Sequence, residues 1–159
     1  MKKLIASMTA AVMLCTGAAA LADSENYPTY ESFSPIIMED ENTTVDEKAF
    51  MGEWTLKAAF LGREYVEDST LFEKYNFNFM PFVITEGKIS QDAELGDGEF
   101  TTVETPYVFE AGQLQGEDLY GYGFAVELEE DGNIVLSLFV PNEAGGMDCL
   151  SLFLVHPAE

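Results

Sequence analysis

The sequence predicts an all-β domain, an antiparallel up-and-down barrel of about eight strands. Three observations carry that expectation. Residues 51–155 divide into about eight short apolar runs, several alternating strictly between apolar and polar positions. Turn signals separate those runs every ~8–12 residues. Hairpin follows hairpin with no long return connection, which favours a closed meander over a sandwich.

The first run is "MGEWTLKAAF", where Trp54, Leu56, Ala58 and Phe60 occupy alternate positions and predict a half-buried strand. In the next stretch, "GREYVEDSTLFEKYN", Thr70 and Glu73 have capping-box spacing, so a short helix or ordered loop is expected. The runs "FNFMPFVIT" and "KISQDAEL" are joined by a tight "EGK" turn. "GDG" then leads into "EFTTVETPYVFE", and "AG" leads into a short "QLQG". Tyr120, Tyr122, Phe124, Val126 and Leu128 alternate with small or acidic residues up to "EEDGN", an Asp-Gly hairpin turn. Ile134, Leu136, Leu138 and Val140 alternate next, and "PNEAGG" turns the chain into "MDCLSLFLV". In that last run Leu150, Leu152 and Leu154 share one face, while Met147, Cys149, Ser151 and Phe153 share the other.

Upstream of the barrel, residues 1–22 read as a cleaved signal peptide. "MKK" is a basic n-region, an apolar run follows, and Ala20-Leu21-Ala22 is an A-x-A cleavage site. Export to the medium or the cell envelope follows, and the short n-region points to a bacterium. Lipid anchoring at Cys15 is disfavoured because Leu14, rather than a small residue, precedes it. Residues 23–50 hold eight acids against one lysine and show no sustained period. They read as an acidic disordered spacer, with "FSPIIM" as the part able to touch the domain. The domains are therefore 1–22, 23–50 and 51–159.

Without Lys2 and Lys3, five basic residues face 29 acidic ones, a net charge of −24. Such a field repels nucleic acid and anionic membranes, so neither is expected as a partner. No transmembrane segment is expected in the mature chain. Cys149 is its only cysteine, so no internal disulfide forms.

Gly52-Glu53-Trp54, just after the helix-like "DEKAF", resembles the G-x-W signature of lipocalin-like barrels. The order of "PYVFEAGQL" and "FAVELEEDGNIVLSLF" behind it is similar to small secreted lipocalin-like domains of bacteria. The resemblance covers residues 52–155. It implies a calycin-type barrel whose Trp54 plugs the closed end while Gly52 lets the backbone pass close beneath it. In lipocalins an arginine near the last strand lies over that tryptophan; here His156 is the only nearby candidate.

The chemistry-bearing residues argue against catalysis. A nucleophilic mechanism would rest on His156, the only histidine, with Ser151 or Cys149, and neither lies on a sharp turn. Cys149 and His156 together fall short of a zinc site, and no cofactor is expected. In "QDAELGDGE" Asp92 and Glu94 fit a calcium loop, but Gly96 stands at a ligand position and Asp97 at the glycine position. Glu127 and Glu129 alternate with the apolar face of their strand and should point to solvent. The leading reading is an exported, non-enzymatic barrel binding a small apolar ligand, neutral or cationic, in its cup. Trp54 would form the floor, and Tyr107, Tyr122 and Phe124 the wall, with Phe60 also directed inward. The alternative is a packed barrel that presents acidic loops such as "GDGE" and "PNEAGG" to a basic protein or a cell-envelope component.

Overall fold

Antiparallel pairing organises almost the whole domain. The structure, a computed structural model, describes residues 45–157 apart from 97, 119 and 120. The leader expected over 1–22, spacer residues 23–44 and Tyr120 lie outside the described residues. The elements are β1 (Gly52–Leu61), a two-residue β2 (Glu64–Tyr65), helix α1 (Asp68–Tyr75), β3 (Phe82–Thr85) and β4 (Lys88–Gly96). They continue with β5 (Glu99–Glu110), β6 (Gln113–Glu117), β7 (Gly123–Leu128), β8 (Ile134–Pro141) and β9 (Met147–Val155).

Strands β3 to β9 form a meander in sequence order, and β1 closes it by pairing with both β3 and β9. Residues 52–54 of β1 pair with β3, and residues 55–61 pair with β9. With β2 set aside as a short addition to β1, this is the eight-stranded closed barrel that the periodicity predicts. The start of β1, the β3–β4 turn and the β7–β8 turn lie at one end. The β4–β5 and β8–β9 turns lie at the other, together with α1.

The inward side chains are those the alternation selects on β7, β8 and β9. Phe124, Val126, Ile134, Leu136, Leu150, Leu152 and Leu154 join Leu114, Ile84, Ile89 and Trp54 in one continuous core. Strand β1 departs from the expectation. Its register with β9 shifts between Leu56 and Ala58, so that Leu56 faces Leu154 and Ala59 faces Leu152. A β-bulge at Lys57 has inserted one residue, and each position beyond it changes face. Ala59 therefore enters the barrel, whereas Ala58 and Phe60 turn outward to join Val135 and Phe153.

Two boundaries also move. Helix α1 starts at Asp68 behind Glu67, which makes no side-chain cap, so Thr70 lies within the first turn rather than at its start. The packed domain also begins before Met51. A 3₁₀ turn at Glu47–Phe50 is capped by the Asp46 carboxylate, and Phe50 is fully buried with Val45 packed against the same core.

Gly116 positions the wall of the barrel. It lies between Tyr107 and Phe124 in one cross-strand row. A Cβ there would come within 2.6 Å of the Phe124 ring and 2.7 Å of the Pro106 carbonyl oxygen. The carbonyl belongs to the backbone and cannot swing aside. Gly116→Ala is therefore expected to cost about 1–3 kcal/mol by overpacking, read as a lower urea midpoint at unchanged slope.

Candidate functional site

At the closed end, Trp54 is fully buried and its Nε1–H donates to the Phe50 carbonyl oxygen at 2.9 Å. The His156 ring stacks on the indole, with centroids 3.7 Å apart and planes 27° from parallel. His156 Nδ1 lies 3.0 Å from the Glu53 carbonyl oxygen, which holds the ring in place. Gly52 makes room for it: the backbone has φ +129°, and an added Cβ would lie 3.3 Å from His156 Cε1. His156 thus covers Trp54 from the position where the family resemblance implies an arginine.

The residues expected to line a cup occupy different environments. Tyr107 is almost buried, and its hydroxyl donates to the Glu47 carboxylate or the Thr85 carbonyl, at 2.8 and 2.9 Å. Burial, and then the bond to Glu47, push the phenol up to about 12. Tyr107 thereby ties the N-terminal turn to the β3–β4 end of the barrel. Phe124 is buried against Gly116. Tyr122 is half-buried in the β6–β7 loop, where its backbone N–H donates to the Asp118 carboxylate at 2.8 Å. Trp54, Tyr107 and Phe124 come together as core, while Tyr122 stands apart from them in the β6–β7 loop.

A cleft of about 410 Å³ opens between α1 and the β8–β9 turn, lined by Lys74, Tyr75, Pro141, Asn142, Glu143, Ala144 and Asp148. Asn142 stiffens one wall. Its amide donates to Asp148 at 2.8 Å, and its side-chain oxygen accepts from Gly146 N at 2.8 Å. Lys74 Nζ sits 5.3 Å from the centre of the Tyr75 ring on the other wall. Phe72, Phe79, Met80 and Phe100 are exposed on the α1 and β4–β5 side of the molecule. No alternation marks this cleft in the sequence; only the turn signal in "PNEAGG" points to one of its walls.

Glu127 and Glu129 face outward as the alternation requires, yet they do not lie in open water. Glu129 is 3 % exposed, and its Oε1 has no hydrogen-bond partner. Burial pushes its carboxyl up to about 7, with Asp131 adding to the rise and Lys57 opposing it. Burial raises Glu127 as well, and its carboxylate accepts from the Gln113 amide. The outer surface of β7 is therefore covered, which a two-residue period cannot reveal.

His156 and the proposed nucleophiles do not meet. Cys149 stands 3.8 Å from Ser151, and His156 lies seven positions further along from Cys149, on the order of 20 Å in extended chain. Asp92 accepts from the Thr102 hydroxyl at 2.7 Å across the β4–β5 hairpin. No family model matches the chain, and no curated protein matches it in sequence.

Two consequences are measurable. Gly52→Ala would strain a left-handed backbone and press on His156, so a loss of about 1–3 kcal/mol in urea unfolding is expected. For Glu129, a raised folded pKa means that the folded state holds a proton that the unfolded state releases above its ordinary 4.5. Its contribution therefore lowers stability as pH rises from about 4.5 to about 7, by on the order of 3 kcal/mol. Glu129→Gln should flatten that part of the stability–pH curve and leave the protein more stable at pH 8.

Proposed function

We propose that this chain is an exported, non-enzymatic, lipocalin-like domain that works as an interaction module through the end of its barrel that carries α1. The observation that carries this reading is the filled interior. Trp54, Phe50, Leu71, Leu114, Leu150 and Leu152 are all fully or almost fully buried in one core, and Tyr107 and Phe124 pack into it. Residues that would hold a cargo in a carrier here occupy the space a cargo needs.

What remains available is the far end. The end of the β4–β5 hairpin, with Gly98 and Glu99, and the β8–β9 turn "PNEAGG" both lie there with α1. They add Glu99, Glu143 and Asp148 to a surface that also exposes Phe72, Phe79, Met80 and Phe100. Acid loops beside exposed aromatics suit a basic protein with some apolar surface. The cleft beside α1, with Glu143 and Asp148 in its walls, can seat a lysine or arginine side chain of such a partner. The overall charge would speed that encounter at low salt.

The test compares two probes, a lysine-rich peptide and a small apolar dye. Peptide binding is expected to weaken about tenfold or more between ~10 mM and 150 mM salt, because exposed charges are screened. Glu143→Gln with Asp148→Asn should weaken it at low salt. Salt-insensitive dye binding that changes the emission of Trp54, the only tryptophan, would instead show a carrier.

A further inference from the structure

The β4–β5 hairpin runs past its neighbours on both sides. Strand β3 pairs with β4 only as far as Gln91, and β6 pairs with β5 only from Tyr107 onward. The β4 side of the remaining arm is covered. The Asn78 amide donates to the Asp92 carbonyl oxygen, and the Gln91 amide donates to the carbonyl oxygens of Asn78 and Met80 at 2.8 and 2.6 Å. The segment before β3 thus lies along that edge. The β5 side differs. Pairing with β6 stops at Pro106, which has no N–H to give. From Glu99 to Pro106, β5 has β4 as its only strand partner among the described residues.

Tyr107 donates its N–H to the Gly87 carbonyl oxygen, on the β4 side, at 3.1 Å. Backbone bonds alternate along an antiparallel strand, so Phe100, Thr102 and Glu104 turn their N–H and C=O groups to the opposite edge. Their side chains are exposed, Phe100 by 56 %. Strand edges are ordinarily blunted by lysine, by a bulge or by a charge pointing inward. Here Thr101, Val103 and Thr105 hold the inward positions, and the hairpin's register shift lies on β4, between Glu94 and Gly96. Threonine, valine and phenylalanine also favour extended backbone. Charge then selects the occupant. The described residues of the hairpin carry Asp92, Glu94, Glu99 and Glu104 against Lys88, which is paired with Glu104. A second copy would bring the same acids together, so a basic strand is the better match.

We propose, on the basis of the interaction-module reading, that Phe100 to Glu104 of β5 form a strand-addition site for an extended basic segment of a partner protein. The segment runs antiparallel to β5 and exchanges backbone bonds with Phe100, Thr102 and Glu104. Its residues opposite those three share the outer face, where lysine meets Glu104 and the acids of β4. Its intervening residues lie beside Thr101 and Val103, which suits valine or threonine. Backbone bonds supply the affinity, and the alternation of basic with β-branched side chains supplies the selectivity.

The probe is a fluorescent peptide of about eight alternating lysines and valines, its anisotropy read on the full chain. N-methylation of its lysine backbone nitrogens removes the N–H groups that face Phe100, Thr102 and Glu104 and keeps every charge. Binding should weaken at least about tenfold, whereas N-methylation of the valines should leave it unchanged. Thr102→Pro removes the central N–H on the protein side without touching a backbone bond to β4, and should weaken binding by about the same factor. Thr102→Val loses the same hydroxyl bond to Asp92 but keeps the N–H, so it should bind like the wild type. Should Thr102→Pro lower the urea midpoint, the two methylated peptides decide alone, since they leave the protein unaltered. Salt-sensitive binding that lysine methylation weakens no more than valine methylation would overturn strand addition and leave the interaction module standing. Binding indifferent to a stably folded Thr102→Pro would do the same. No binding of the unmethylated peptide at low salt would overturn both. Dimerisation of the free chain that Thr102→Pro abolishes would assign the edge to a second copy and overturn the proposal equally.

Discussion

Strand β1 has to serve two neighbours, and the rest of the barrel depends on how it does so. Its first residues pair with β3 and its remainder with β9, so β1 alone joins the two edges of the meander. A strand that continued in strict alternation would carry Phe60 into an interior already filled by leucines. The bulge at Lys57 removes that conflict by admitting Ala59 and turning Phe60 outward. Closure is secured at the base by Trp54, which takes a carbonyl from the preceding turn and a histidine ring from the segment after β9. Both ends of the described chain therefore converge on one side chain.

The surface around the filled interior is not uniform. At the end that carries α1, the β8–β9 turn held by Asn142 lies beside exposed aromatics and acids. On the outer face of β1, β8 and β9, by contrast, Phe60 and Phe153 are withdrawn from water, and so is Glu129 beside the end of β7. The same acidic composition serves both regions differently. An exposed carboxylate solvates the protein at little cost, whereas a buried one such as Glu129 is held protonated well above its ordinary range.

The turn chemistry and alternation of β7, β8 and β9 were legible because each hairpin there is local and its inward face is uniformly apolar. The helix after β1 was legible too, although Thr70 suggested a start later than Asp68. The sequence left His156 as the only candidate near Trp54, and the two rings do stack. The bulge was not legible, since Lys57-Ala58-Ala59 satisfies either register until β9 is in place. The burial of Glu129 was equally hidden, because the period of a strand reports which face a residue takes and not what covers that face.

By itself, then, the sequence determined an acidic all-β chain, its succession of hairpins and the residues that line most of the core. Those properties follow from local backbone preference and the partition of apolar side chains. Only the tertiary structure decided the register of β1, the filling of the barrel by the residues that might have lined a cup, and the withdrawal of its outer patch from solvent. Each depends on partners distant in sequence, and a local pattern cannot encode the shape or volume left between them.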